Sequence, residues 1–534
     1  MRSLLSVFSF GLLLALPASL ALPRPSAAQE ASLDQQLRDA YTELDERQAS
    51  LVEAMRQQSR EAVAELAPGL IDASSRVLQL DSARGGALTR QGRRRIYGIR
   101  SIGHLALGDI DQAQADSRRA GREGSLDSGF HSLRFAWAYE AEDWSGVVDA
   151  LAFERQMAGA LEGTLLGRWE ARTMAQLSRE MASDEAARER FAELLVSSGW
   201  VDTVRSSDNN WVHWNLFEAR ADRGDERGAR EALAAIDSLY SFAQILIDDR
   251  YTAYRAAIEA EHGADLAEGA ADQSRRLAAE WDANREDVDY LLDYLVALRM
   301  EGRWQDIVDR FAPIVDELSS AIDAGADDHL LMNRTGFFVV NYLAHAEMML
   351  GDVEGGLARM EKIVGLGVEA RPDLINQAIN RLSWLFELGR HEQALSVARE
   401  FDRVPEGIAS EYAYGLIYKA AACSAHALGD EEAHGHWRDK LFALEEPSPL
   451  VLLGYHFCMA DEDAAAALII AETQGEDPTG LLLDLQDMAL FEAKGPDEQA
   501  MEEMRARVVA RPDVQAALAD VGEIRTFALT TFYN

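Results

Sequence analysis

The sequence predicts an all-α protein, an α-solenoid of about eleven stacked helical hairpins. The stretch 290–315 is the clearest unit, because apolar residues recur at helical spacing on both sides of Gly302. A similar turn signature recurs along the chain at steps of about 39 residues. With 534 residues the chain is too long for one hydrophobic core, which agrees with a repeat array. One hairpin cannot bury both of its apolar faces, so each hairpin needs neighbours of the same kind.

The turn signature is a glycine, usually followed by a charged residue, with a small or β-branched residue five positions later. Glycine can end one helix in the left-handed conformation, and the next polar residue can begin the following helix. The small residue lets the two helix backbones approach each other. Clear copies turn at Gly108, Gly224, Gly302, Gly351, Gly389, Gly429 and Gly495, and weaker copies turn near Glu142, Ala182, Gly263 and Ala460.

This pattern resembles the tetratricopeptide repeat. The step from Gly108 to Glu142 is 34 residues, the length of that family's two-helix unit, and Ala113 and Val147 occupy its small-residue position. The resemblance covers roughly residues 90–515 and is loose, because most steps are longer and the closing proline is usually missing. It implies a superhelix whose concave face, lined by the first helix of each hairpin, binds a protein or peptide partner.

The chain is predicted to have four segments. Residues 1–28 are a signal peptide, and residues 29–89 are an N-terminal helical capping region without a repeat. The tetratricopeptide-like repeats occupy residues 90–474. Residues 475–534 form a C-terminal hairpin and a capping helix. Within the capping region, Pro68 is expected to interrupt the helical pattern.

The signal peptide is predicted from composition. Arg2 precedes an apolar run at residues 4–16, Pro17 ends the run, and residues 26–28 are a small-residue cleavage site. No other stretch approaches the ~20 apolar residues of a membrane helix, so no transmembrane segment is expected after signal cleavage. We expect a bacterial protein that is periplasmic or secreted; an uncleaved N-terminal anchor is the alternative.

The chain is strongly acidic, with a formal net charge of −39 from 91 acidic and 52 basic residues. Such a field repels phosphate backbones, which excludes nucleic acid as the expected partner. Salt adaptation and recognition of a basic ligand both remain open as its origin. Lysine occurs four times, at Lys362, Lys419, Lys440 and Lys494.

The two cysteines, Cys423 and Cys458, are 35 positions apart, close to one repeat. An oxidising compartment would permit a disulfide between neighbouring hairpins. Helices usually pack 8–10 Å apart, whereas a disulfide needs Cα atoms within about 7 Å. Two buried thiols are therefore the competing state.

The main functional hypothesis is a binding scaffold for a protein or peptide partner. The candidate groove residues on first helices are Tyr290, Tyr294, Asn341 and Tyr342. The sequence has no phosphate-binding glycine loop, no nucleophile elbow and no zinc-protease motif, so no catalytic residue, cofactor or resident metal is predicted.

Two alternative hypotheses rest on other side chains. Trp200, Trp211 and Trp214 surround a polar stretch and could stack on a glycan or other polymer. A second cluster, at residues 423–458, is rich in histidine and cysteine. There His434 and His436 could bind zinc or copper in a metal-dependent enzyme, although on one helix they point about 200° apart.

Overall fold

The structure, a computed structural model, is described for residues 28–56, 60–86, 88–107, 109–122, 135, 138–139, 141–158, 161–325, 329–401, 409–475 and 478–532. The predicted signal peptide, apart from Ala28, lies outside these residues. In the part of the chain that is described, no helix is both long and apolar enough to cross a bilayer. The chain divides into two compact units, Met1–Ile236 and Asp237–Asn534.

The described secondary structure of unit 1 consists of helices, which pack mainly against their neighbours in sequence. They are α1 Ala28–Arg56, α2 Arg60–Ala83, α3 Arg90–Ala106, α4 Ile110–Arg122, α5 Trp144–Ala158, α6 Leu165–Arg168, α7 Ala171–Glu180, α8 Glu185–Ser197, α9 Ser206–Asp222 and α10 Glu226–Leu233, with 3-10 turns at Leu161–Gly163 and Trp200–Thr203.

Unit 2 continues the helical hairpins and adds two very short strands. Its elements are α11 Leu239–Ile247, α12 Thr252–His262, α13 Ala267–Ala283, α14 Val288–Met300, α15 Trp304–Asp323, α16 Arg334–Met349, α17 Val353–Val364, α18 Ile375–Glu387, α19 His391–Phe401, α20 Glu411–Ala427, α21 Glu431–Phe442, α22 Pro449–Cys458, α23 Glu462–Glu472, α24 Thr479–Asp484, β1 Asp487–Met488, α25 Pro496–Val509, α26 Pro512–Leu518 and β2 Thr526–Phe527, with 3-10 turns at Asp249–Tyr251 and Pro372–Leu374.

The all-α solenoid prediction is confirmed by this order of elements. In unit 2 the first helices α14, α16, α18, α20 and α22 each pack against the next, and each also packs against its own second helix. One continuous core follows from this stacking. It runs from Ala344 to Tyr455 and includes Leu382, Leu395 and Trp437.

Most predicted hairpin turns have the expected left-handed residue. Gly224, Gly302, Gly351, Gly389 and Gly429 have φ between 65° and 95°. Two weaker copies place a non-glycine residue in the same conformation; these are Glu142 and Ala460, both with φ 53°. Gly108 lies outside the described residues.

The residue after each glycine caps the second helix when it is aspartate. The carboxylate of Asp225 accepts from the Gly228 amide at 3.0 Å, and that of Asp352 accepts from the Gly355 amide at 3.0 Å. The position five residues after the turn is packed against the first helix, as predicted. At Gly356 an added Cβ would lie 2.5 Å from the Ala344 carbonyl oxygen, so only glycine fits there.

Replacement of Ala460 by glycine is expected to stabilise unit 2 by about 1 kcal/mol, because a left-handed conformation strains an L side chain by roughly that amount. The check is the denaturant midpoint of Ala460→Gly. Ala467→Gly is the matched control: this exposed residue lies inside α23, where glycine costs about 1 kcal/mol. Equal destabilisation by both substitutions would contradict the turn assignment.

Two sequence predictions are wrong in detail. Helix α2 continues through Pro68, so the capping hairpin does not break there. Gly495 is not a hairpin turn, because its φ is −163° and it caps the start of α25 after a non-helical stretch. The last described hairpin is instead α22 and α23, which turn at Ala460.

The C-terminal region differs from the predicted hairpin and capping helix. Helices α25 and α26 do pack against α22 and α23. Beyond α26, however, the chain runs back to the N-terminal end of unit 2, where Gly522 forms an antiparallel bridge with Asp248, the residue after α11. We call residues 519–532 the tail.

Candidate functional site: a polar cavity on the first helices of unit 2

The tail is held in an extended form by backbone hydrogen bonds. Strand β2 pairs in parallel with β1, with Asp487 opposite Thr526. The Glu523 amide donates to the Ile247 carbonyl at 3.0 Å, and the Thr530 amide donates to the Met300 carbonyl at 2.9 Å. The ends of α11 and α14 have carbonyls without helical partners, and the tail satisfies two of them.

Apolar tail side chains are buried along this path. Phe527 and Leu529 are fully buried, and Phe532 is 3% exposed. The rings of Phe527 and Phe532 meet edge to face, 4.9 Å apart. The segment is therefore part of the core of unit 2.

A buried ion cluster lies beside the tail. The Lys494 Nζ is 3.1 Å from Glu387 Oε2 and also contacts Glu498. Burial raises the pKa of Glu387, against the nearby Lys494 ammonium. Burial disfavours the ammonium form of Lys494, but the two carboxylates outweigh this effect and raise its pKa. Burial lowers the pKa of Lys419, a second lysine of the same region, although Glu387 opposes it.

Two cavities adjoin this cluster. The smaller, about 280 Å³, lies between α14, α16 and the C-terminal region, and the tail residues Thr530 and Phe532 line it. The larger, about 420 Å³, is lined by first helices and by Lys494, and we call it the basic cavity. Its lining residues are Arg299, Phe338, Asn341, Tyr342, His345, Asn376, Ile379, Asn380, Trp384, Ser410, Tyr412, Ala413, Leu416 and Lys494.

Arg299 comes from the last turn of α14 and lines both cavities. Its guanidinium lies over the Tyr342 ring, 5.0 Å from the centroid. Burial lowers the pKa of Arg299, and burial also raises the pKa of Tyr342. An arginine starts from such a high value that it stays charged, so a cation is fixed on an aromatic face in the cavity wall.

His345 lies between two tryptophans. Its ring stacks on Trp384 at 5.9 Å and meets Trp304 edge-on at 5.2 Å. Burial, reinforced by the Lys494 and Arg299 cations, holds the pKa of His345 well below its ordinary value of 6.5. The imidazole is therefore neutral at pH 7, with one nitrogen able to donate and one able to accept a hydrogen bond.

The four predicted groove residues lie in different places. Asn341 and Tyr342 line the basic cavity, and Asn341 accepts a hydrogen bond from Asn380 at 3.0 Å. Tyr294 is 2% exposed and packs on the core ring of Phe311, so it is not at a binding surface. The structure thus brings two of the four residues together.

Tyr290 is half-buried near the start of α14 and lines neither cavity. The register of α14 explains this placement, because its cavity-facing residue is Arg299, in its last turn.

The predicted tryptophan surface is largely packed into unit 1. Trp200 is 1% exposed and its ring lies 6.4 Å from that of Trp211. The Trp211 ring also stacks near Phe191. Trp214 is half-buried and contacts Phe217. Trp200 is therefore a core residue, which removes one wall of the proposed glycan site.

Cys423 and Cys458 are joined in a disulfide, with Cα atoms 5.9 Å apart. The expectation of two thiols compared the spacing of helix axes with a limit on Cα atoms. Cα atoms on facing sides of two helices lie closer than the axes, and Cys423 and Cys458 face each other across α20 and α22. Glycines permit the approach, because Gly415 lies against Val451 and Gly454 lies against the Lys419 side chain.

The histidine cluster does not assemble into a metal site in the described residues, where no group of three potential ligands occurs. His434 Nε2 lies 3.1 Å from the Tyr455 hydroxyl, and the Asp430 carboxylate accepts from a helix amide. The cysteines cannot serve as thiolate ligands while they form a disulfide. The hypothesis of a metal-dependent enzyme has no described geometry behind it.

Sequence reasoning missed Arg299, His345 and Lys494. One signal was present for lysine, because two of the four lysines, Lys419 and Lys494, lie at this cluster in a chain that otherwise uses arginine. No local pattern marks Arg299, since it resembles any other charged residue near a helix end.

The fold and the site define a class, an all-α helical-repeat protein with a polar cavity on the first helices of its second unit. No family model matches the sequence, and no curated protein matches it. A chain from the "Crystal structure of APC/C hetero-tetramer Cut9-Hcn1" is similar at 10% identity, with 90% of this chain and 99% of that chain covered and a TM-score of 0.24. A TM-score this low carries no argument, so the class rests on the described helices themselves.

Proposed function

We propose that the protein is an exported scaffold that binds an extended segment of a partner protein on the first helices of unit 2. The observation that carries the proposal is the basic cavity, an open polar depression formed by α14, α16, α18 and the start of α20. Stacked first helices present such surfaces to extended ligands in helical-repeat proteins.

The tail supports the same proposal. Main-chain groups at the ends of α11 and α14 hold an extended segment of this chain. We infer that backbone hydrogen bonds of this kind hold the partner segment next to the tail. Export is supported by the apolar run and small-residue cleavage site in the first 28 residues. The setting that follows is a bacterial cell envelope, where the scaffold works by binding and not by catalysis.

Site-specific cross-linking tests the binding surface. Tyr412 is 52% exposed at the cavity rim, and Phe442, 50% exposed on α21, is a matched aromatic position outside the cavity. A photo-reactive phenylalanine at position 412 is expected to capture one dominant polypeptide in the source envelope, and the same probe at position 442 is not.

The captured band should disappear when the cavity is filled by Ala413→Trp and persist in Ala443→Trp, which changes an exposed residue after α21. Equal capture from positions 412 and 442, or capture that survives Ala413→Trp, would overturn the proposed surface. The export proposal has its own readout, the intact mass of the envelope-associated protein. A mass that includes residues 1–28 would overturn signal cleavage.

A further inference from the structure

We propose that the basic cavity binds a carboxylate joined to an apolar, planar body. This inference rests on the proposed function in one respect: it names the chemical group that the partner protein would place in the cavity. The preference for a carboxylate is argued from the lining side chains alone.

The charge of the lining is opposite to that of the chain. The protein carries a net charge of −39, yet Arg299 and Lys494 line this cavity and no Asp or Glu is among its described lining residues. The carboxylates that neutralise Lys494, Glu387 and Glu498, lie outside that lining. His345 also lines the cavity, and burial together with both cations keeps its pKa well below the ordinary value, so the imidazole is neutral.

Neutral hydrogen-bond donors complete the polar side. Asn341 lies on α16, Asn376 and Asn380 lie one turn apart on α18, and Ser410 caps the start of α20. Amides and a guanidinium together suit a carboxylate, because each of its oxygens accepts more than one hydrogen bond. A carboxylate bound beside these cations gains more than it would in water, because the dielectric inside a partly enclosed cavity is lower.

The remaining wall is apolar and aromatic. Phe338, Tyr342, Trp384 and Tyr412 line the cavity together with Leu416, among other residues. A volume of about 420 Å³ accommodates a single ring with a short acid arm or the last residues of a peptide. Two sources share this chemistry, a free aromatic acid and the C-terminal carboxylate of a polypeptide with an aromatic last residue.

Calorimetry on the mature protein tests the carboxylate requirement. N-acetylphenylalanine and 3-phenylpropionate are expected to bind, and N-acetylphenylalaninamide, which lacks the charge, should bind about tenfold or more weakly. The probes contain no tryptophan, so quenching of Trp384, which lines the cavity, provides a second readout. Equal binding of acid and amide would overturn the inference.

Two variants locate the site. Asn376→Asp places a negative charge in the lining and is expected to weaken acid binding about tenfold or more without changing binding of the amide. Asn284→Asp makes the same change at an exposed residue outside the cavity and should change neither. Arg299→Gln should also weaken acid binding, with circular dichroism to verify folding. Identical titrations for Asn376→Asp and Asn284→Asp would overturn the assignment.

The relative affinity for the two acids separates a peptide C-terminus from a free aromatic acid. Tighter binding of N-acetylphenylalanine than of 3-phenylpropionate assigns a peptide terminus, and the reverse order assigns a free acid. Cross-linking of a partner through position 412 without any acid binding would remove this inference and leave the scaffold intact. Acid binding without a cross-linked partner would remove the scaffold and leave a small-molecule site.

Discussion

Replacement of Lys494 by alanine is expected to lower the stability of unit 2 by about 3–5 kcal/mol, the typical cost of removing one partner of a buried ion pair. The ammonium lies against Glu387 and Glu498, whose side chains are 18% and 14% exposed. Without it, two poorly solvated carboxylates repel each other. The measurement is the urea midpoint of the purified variant.

Lys362→Ala is the matched control for this loss. Lys362 pairs with Asp323 at 2.7 Å, but that aspartate side chain is 71% exposed. Such surface pairs contribute roughly 0–1 kcal/mol. If Lys494→Ala costs no more than Lys362→Ala, the buried cluster does not stabilise the fold.

The loss in Lys494→Ala should depend on pH in a defined direction. Burial already raises the pKa of Glu387 above its ordinary value of 4.5, and removal of the ammonium raises it further. A carboxyl whose folded pKa is raised stabilises the fold when it is protonated, and this contribution is lost as pH rises from about 4.5 through the raised value. The variant should therefore recover part of its stability between pH 7 and pH 5. A deficit that grows over this interval would contradict the assignment.

Removal of the Cys423–Cys458 disulfide is the second large effect expected. The bond closes a loop across 35 positions, and loops of this length contribute about 2–4 kcal/mol, mainly by restricting the unfolded chain. The double variant Cys423→Ala, Cys458→Ala should lose this amount in denaturant unfolding. Its midpoint should not respond to reductant, whereas the wild-type midpoint should fall.

Thiol labelling of the unfolded, unreduced protein provides the direct control. No labelling is expected, because the described structure places both sulfurs in one bond. Two labelled cysteines in protein purified from an oxidising compartment would contradict the disulfide and restore the expectation of separate thiols.

Because a helical hairpin is a local structure, the repeat pattern could be read from the sequence. Left-handed glycines such as Gly302 and Gly351, and the small or β-branched residue five positions after each, act within about ten positions of the turn. The same local rule even located Ala460, where no glycine marks the turn. It failed at Gly495, because a glycine before a helix looks the same whether or not another helix precedes it.

The disulfide was left open for a physical reason. Spacing placed Cys423 and Cys458 on neighbouring hairpins, but the distance between them depends on how closely α20 and α22 pack. Gly415 and Gly454 leave room for Val451 and Lys419 on the facing helix, and this fit appears only when the two helices are seen together.

Taken by itself, the sequence determined the helical class, the position of most turns and the acidic character of the chain. Only the tertiary structure decided that residues 519–532 return to the ends of α11 and α14 and that Arg299, His345 and Lys494 meet at one cavity. Helical periodicity relates residues three or four positions apart, so it can be recognised in any short stretch of the sequence. The shared position of Arg299 and Lys494 at one cavity leaves no such local pattern, because these residues are almost 200 positions apart and meet there only through the stacking of successive hairpins.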